Sequence, residues 1–154
     1  LYINKEGKRA MSRQILKKER IITDRLTLGS YRKEDRDRLA EMMRNPEITA
    51  TFMVPDYSEE VQFYALADKL IEFSQINDTT HLEYGVYLDG YMIGFVNDCG
   101  YDDEAIELGY VIDPAFKGRG FATEAVNAVI NELHEMGFKK VVAGFLKEIS
   151  AAEK

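Results

Sequence analysis

The sequence predicts an α/β domain in which a mixed sheet packs against helices, and three observations carry that prediction. Two-residue alternation and 3.6-residue periodicity take turns along the chain in the order β-α-α-β-β-β-α-β. The dipeptide Asp89-Gly90 separates two alternating runs, which is the local signal for a tight hairpin. A third strand-like run, Ala105–Ile112, feeds through a glycine-bearing loop into an amphipathic helix.

Each element follows from its residues. Arg25-Leu-Thr-Leu-Gly-Ser-Tyr31 alternates as a strand, with Leu26 and Leu28 on one face. Glu34 to Arg44 reads as a helix with Leu39, Met42 and Met43 inward, stopped near Asn45-Pro46. Ser58-Glu59-Glu60 supplies a capping residue and early acidic charge for a second helix. Phe63, Leu66, Ala67, Leu70 and Phe73 keep its period until about Ile76. Leu82–Leu88 and Tyr91–Val96 are the hairpin strands, and Pro114 ends the strand Ala105–Ile112. The last helix runs from about Gly120 to Met136, with Ala122, Val126, Val129, Leu133 and Met136 in its buried stripe. Gly137 stops it, and Lys139–Leu146 reads as a final strand.

Composition excludes several classes. The 154 residues are 45% hydrophobic and 31% charged, enough for one folded domain and not the balance of a disordered chain. Apolar runs fall well short of the ~20 residues a membrane span needs, and no N-terminal stretch has secretory length, which points to the cytoplasm. One cysteine, Cys99, and two histidines, His81 and His134, exclude a disulfide framework and a cysteine- or histidine-rich metal site. The net charge of −7 is unevenly placed. Residues 1–20 carry seven Lys/Arg against Glu6 and Glu19, whereas Thr51 to Asp113 carries fourteen Asp/Glu and only Lys69. That acidic body argues against nucleic acid and suits a cationic substrate such as an amine, although an acidic surface also serves solubility alone. Residues 1–22 read as a basic N-terminal extension. Leu1 is not an initiator, so the first ten residues are expected to be a vector-derived or upstream remnant, with Met11 the original start.

The segment richest in chemistry is Glu107-Leu-Gly-Tyr-Val-Ile-Asp-Pro-Ala-Phe-Lys-Gly-Arg-Gly-Phe-Ala-Thr-Glu-Ala125. Gly118 and Gly120 at a helix start let backbone N–H groups converge, and with the helix dipole they form a site for phosphate or pyrophosphate. Lys117 and Arg119 add positive charge there. Neither the P-loop nor the full dinucleotide fingerprint is present.

Lys117-Gly-Arg-Gly-Phe-Ala122 resembles the acetyl-CoA-binding loop of the GNAT N-acetyltransferase superfamily, whose pattern is Gln/Arg-x-x-Gly-x-Gly/Ala. Glu107–Ala125, the opening Asp24-Arg-Leu-Thr-Leu28, and Asn45-Pro46-Glu47 are similar to the branch that includes the ribosomal-protein N-terminal acetyltransferases. The likeness covers about Thr23 to Leu146. It implies a GNAT-like mixed central sheet with helices on both faces, occupying residues 23–154. It further implies that backbone groups of Tyr110, Val111 and Ile112 align the pantetheine arm of acetyl-CoA. N–H groups from Gly118 through Arg119, Gly120 and Phe121 to Ala122 would hold the pyrophosphate, with a hydroxyl from Thr123. Lys117 replaces the usual planar donor but keeps its charge.

The chemistry so implied is attack of an amine on the thioester, with no metal. Deprotonating a lysine at pH 7 costs roughly 4.6 kcal/mol, and an α-amino group only about 1 kcal/mol. A carboxylate base serves either, and Glu107 at the start of the strand is the first candidate, ahead of Glu104. A backbone N–H near Val111 is the expected oxyanion donor. His134 reads as a surface residue, His81 as a strand-edge residue and Cys99 as inert in a loop. A protein N-terminus is the preferred acceptor, then an aminoglycoside or another small cationic amine. A non-catalytic CoA-binding module is the rival reading, and nucleic-acid binding through residues 1–20 ranks last.

One departure from the family concerns the chain's end. The family continues past the strand matching Lys139–Leu146 with an Asn-containing turn, a helix that supplies the general acid, and two strands. Here Lys147–Lys154 follows, and its Ser150 is not assigned that role. The C-terminal elements are therefore expected to be missing or truncated, leaving an apolar edge that favours a homodimer or strand exchange.

Overall fold

The computed structural model describes residues 2–3, 9–10, 13–50 and 54–143. Two short strands, β1 (Tyr2–Ile3) and β2 (Arg9–Ala10), pair with each other. The main sheet has six strands in sequential order: β3 (Arg20–Ile22), β4 (Thr27–Gly29), β5 (Glu83–Leu88), β6 (Tyr91–Tyr101), β7 (Ala105–Ile112) and β8 (Lys140–Ala143). All pairings are antiparallel except β7 with β8, so the sheet is mixed as expected.

Helices cover both faces. On one, α4 (Phe121–Glu135) packs Phe121, Ala125, Val126, Val129 and Leu133 against Ile93, Val96, Ile106, Leu108 and Tyr110. On the other, α1 (Arg36–Arg44) and α3 (Glu60–Ser74) pack Leu39, Met42, Met43 and Ala67 against Tyr87, Met92, Phe95 and Val111. The hairpin turn is as read: Asp89 and Gly90 both have positive φ, the conformation that suits the twist of the flanking strands. Gly137, at φ 98°, terminates α4. Its N–H donates to the His134 carbonyl and that of Phe138 to the Leu133 carbonyl, both at 3.0 Å, which satisfies the helix's last acceptors.

Several elements differ from the sequence reading. Strand β3 and the buried Ile15 lie in the basic segment 1–22, and Ile15 joins the core beneath α4. A four-residue helix, α2 (Pro46–Thr49), follows α1 directly, because Asn45 caps it through the Glu47 N–H and proline occupies its first position. The cap of α3 is Glu59 instead of Ser58, with the Gln62 side chain accepting from the Glu59 N–H at 2.9 Å. β6 runs past Val96 to Tyr101, so Cys99 sits at a bulge in a strand and not in a loop. Of the expected strand Lys139–Leu146 the structure has Lys140–Ala143, while its last three residues, like Met11 and Ser150, lie outside the described residues. No helix among the described residues is long and apolar enough to cross a membrane.

Candidate active site

The site is built on β7. Ile106, Leu108 and Tyr110 point toward α4, while Glu107 and Val111 point to the opposite face. β6 pairs with β7 from Ile106 to Ile112, and among the described residues β8 pairs with Ala105–Leu108. Val111 stands opposite Phe95 with its carbonyl against Gly94, and the Asp113 N–H donates to the Ile93 carbonyl at 2.7 Å. Backbone groups of Val111 and Asp113 therefore face β6, and alternation turns those of Tyr110 and Ile112 to the outer edge.

After β7 the chain makes a 3-10 turn, Pro114–Phe116, capped by Asp113 Oδ1, which accepts from the Ala115 N–H at 2.9 Å. Gly118 and Gly120 then adopt left-handed φ of 77° and 79°, and Gly120 caps α4. The first N–H groups of that helix, on Phe121, Ala122 and Thr123, have no acceptor within it. Strand, turn and loop enclose a cavity of about 30 Å³ bounded by Tyr110 and Ile112, by Phe116–Gly118 and by Gly120–Ala122. Most of the sequence-predicted cofactor residues thus meet in one place. Val111 faces the other core, and the Arg119 side chain lies over the Phe121 ring at 4.8 Å.

Glu107 is not in that cavity. It is exposed and borders a separate, open depression of about 350 Å³ with Tyr101, Lys140 and Val142, on the face of β6, β7 and β8. Three residues of strand separate it from Tyr110, about 10 Å. Glu104 is spent on an exposed pair with Lys139 at 3.4 Å, an arrangement that contributes little.

The sequence of residues 25–152 matches the acetyltransferase (GNAT) domain family. The chain belongs to that family. It is 26% identical over 118 residues to the uncharacterised N-acetyltransferase p20 of Bacillus licheniformis, a match covering 73% of this chain and 65% of that protein. The chain thus spans about two thirds of that relative's length. Among solved structures it resembles a GNAT-family acetyltransferase from Bacillus anthracis, with TM-score 0.68, 18% identity, and coverage of 86% of this chain and 77% of that one. It also resembles the ribosomal-protein α-N-acetyltransferase RimL in complex with coenzyme A, with TM-score 0.69, 15% identity, and coverage of 86% and 78%. A third likeness is to the microcin C7 self-immunity acetyltransferase MccE in complex with acetyl-CoA and AMP, with TM-score 0.67, 19% identity, and coverage of 84% and 76%.

Against the GNAT family's co-substrate, the loop is a fit. A Cβ at Gly118 would meet nothing within 4 Å, so the loop's outer side is open. Thr123 Oγ1 is buried and has no hydrogen-bond partner among the described residues. The enclosed volume takes one small group, such as a phosphate oxygen. No cluster of three or more metal-ligating side chains occurs among the described residues.

Two further groups carry no local signal in the sequence. Arg25, in the turn between β3 and β4, reaches the glycine loop: Nη1 donates to the Arg119 carbonyl at 2.8 Å and Nε to Glu124 Oε1 at 2.7 Å. Burial works to raise the Glu124 carboxyl, but hydrogen bonds from Thr23 and Arg25 outweigh it and hold the group below its ordinary value. The second is Glu83 on β5, 4% exposed, which accepts from the Tyr31 hydroxyl at 2.6 Å. Burial pushes its carboxyl up to about 8, against the Tyr31 hydrogen bond and the Lys17 charge. His81 stacks on Phe73 at 4.0 Å beside Asp78, and His134 is an exposed helix residue. Burial and neighbouring carboxylates raise the Cys99 thiol, which disfavours the nucleophilic thiolate.

Proposed function

We propose that the protein is an acetyl-CoA-dependent N-acetyltransferase whose preferred acceptor is a protein N-terminal α-amine, with small cationic amines or aminoglycosides next. One observation carries the reading: the outward backbone of Tyr110 and Ile112, the left-handed loop Gly118–Gly120 and the start of α4 bound a single cavity. Relatives with this fold include one in complex with acetyl-CoA and AMP and one in complex with coenzyme A.

In this reading the chain's residues divide the work. N–H groups at the start of α4, the Thr123 hydroxyl and the charges of Lys117 and Arg119 hold the pyrophosphate. The backbone of β7 around Val111 aligns the thioester arm, and an N–H there steadies the oxyanion. Glu107 takes a proton from the acceptor ammonium, and the freed lone pair attacks the thioester carbonyl. As the C–N bond forms the C–S bond breaks, and CoA leaves as a thiolate that takes up the second proton lost by the nitrogen. The acidic stretch between Thr51 and Asp113 draws a cationic acceptor toward the site, and the lower cost of deprotonating an α-amine favours a protein N-terminus.

Calorimetric titration with acetyl-CoA tests the site. Micromolar binding by the parent, lost in Gly120→Glu, is the expected result. Loss of turnover in Glu107→Gln, by about 10²-fold or more with acetyl-CoA affinity kept, supports the assigned base. Tight binding without turnover on any peptide or small amine would instead make the protein a CoA-binding module.

A further inference from the structure

We infer that Arg25 is a positioning residue for the acetyl-CoA loop, and that it acts by tying the Arg119 carbonyl to the Glu124 carboxylate. The inference rests on the acetyl-CoA reading above and deepens it.

The local sequence puts Arg25 where it can do this. Thr23 closes the β3–β4 turn, its N–H donating to the Leu26 carbonyl at 2.9 Å and its hydroxyl accepting from the Leu26 N–H at 3.0 Å. Arg25 projects from that turn across to the start of α4, stacking over the buried ring of Phe121 at 4.4 Å. Its backbone N–H and Nε take the two oxygens of Glu124 at 2.9 and 2.7 Å, while the Thr23 hydroxyl donates to Oε2 at 2.6 Å. The remaining arm of the guanidinium, Nη1, holds the Arg119 carbonyl. Nη2 lies 3.4 Å from the place a Cβ on Gly120 would occupy.

Two consequences follow for the loop. In a trans peptide the carbonyl of one residue and the N–H of the next point in opposite directions. Holding the Arg119 carbonyl toward Arg25 therefore turns the Gly120 N–H away from it. The second consequence is electrostatic. Glu124 sits one turn into α4, where an unpaired carboxylate would repel a bound phosphate and cancel the favourable helix dipole. Arg25 neutralises it, and its geometry needs a planar fork: one face on the ring, Nε on the carboxylate and Nη1 on the carbonyl. A pair this exposed, 45% for Arg25, adds little to global stability, so its effect is read in binding.

The experiment titrates CoA, and separately pantetheine, which shares the thiol arm and lacks the pyrophosphate. The full chain is used as parent, Arg25→Ala and Arg25→Lys, with thermal melts alongside. Arg25→Ala is expected to weaken CoA about tenfold while pantetheine changes less than about twofold, and Arg25→Lys to recover only part of the loss. If Arg25→Ala does not fold, Arg25→Gln carries the same comparison. Unchanged CoA affinity overturns the inference, and so does an equal loss on both ligands, which would make Arg25 a general structural residue. A parent that binds no CoA brings down the acetyl-CoA reading itself, a result distinct from either.

Discussion

At Gly94 the Val111 carbonyl and the Ile112 side chain occupy the space a Cβ would need. This close approach joins β6 to the stretch of β7 that presents Tyr110 and Ile112 outward. The obstructing atom includes backbone, which cannot rotate aside as a flexible side chain can. Gly94→Ala is therefore expected to destabilise the protein by about 1–3 kcal/mol and to weaken acetyl-CoA binding, because β7 must shift to make room. Thermal melting and calorimetry measure both, and an alanine variant with parental melting temperature and affinity would contradict the argument. Gly85 is crowded by side chains instead: a Cβ there would lie 2.7 Å from the Tyr87 hydroxyl and 2.9 Å from the Tyr31 ring. Those two tyrosines reach past the glycine to Asp35 and Glu83, each at 2.6 Å, so the missing side chain makes room for two buried hydrogen bonds.

Between elements, α1 is clamped to the end of β7 by one arginine. Arg38, 12% exposed, donates to the Met92 carbonyl at 3.0 Å and to Asp113 Oδ2 at 2.5 Å, and covers the Tyr91 ring at 4.7 Å. Asp113 in turn caps the Pro114–Phe116 turn, whose Phe116 borders the loop cavity. Asp113→Asn keeps an acceptor for the cap but removes the charge opposite the largely buried guanidinium, leaving it the Met92 carbonyl and Glu41. The expected loss is about 1–3 kcal/mol in a urea titration, with weaker acetyl-CoA binding, and a variant matching the parent in both would rule the clamp out. β7 and α4 were legible in sequence because each has a clean period and a proline or glycine at its boundary. β3 was not, since a three-residue strand among basic residues carries no pattern. The extension of β6 was hidden by the bulge at Cys99, which breaks the alternation. Arg25 and Glu124 lie 99 residues apart, and no local spacing signals such a pair. The role of Glu83 is hidden for a related reason: its polar character suggests an outward position, yet β5 is covered on both faces and the residue is buried.

For the whole molecule, that buried carboxyl makes stability depend on pH. Glu83 faces Tyr31, Lys17 and Asp98, and burial dominates, raising its group from 4.5 to about 8. Between those values the folded protein keeps a proton that the unfolded chain has released. Stability therefore falls as pH rises from about 4.5 to 8, with a ceiling of roughly 5 kcal/mol. The neutral form suits its surroundings. The cross-strand neighbour of Glu83 is Asn97, whose Oδ1 is buried without a partner among the described residues, and a protonated carboxyl has a hydrogen to offer such an acceptor. Asp98 is raised by burial as well and adds to the same trend, whereas Lys17, lowered chiefly by burial, works the other way in the alkaline range. Glu83→Gln keeps an oxygen for the Tyr31 hydroxyl and an N–H for Asn97 while removing the titration. Urea titrations at pH 5 and pH 8 should show the glutamine variant gaining on the parent by about 1 kcal/mol or more at the higher pH. Parallel losses in the two proteins would mean that Glu83 is ionised in the folded state throughout, held by Lys17 and Tyr31 as a buried ion pair.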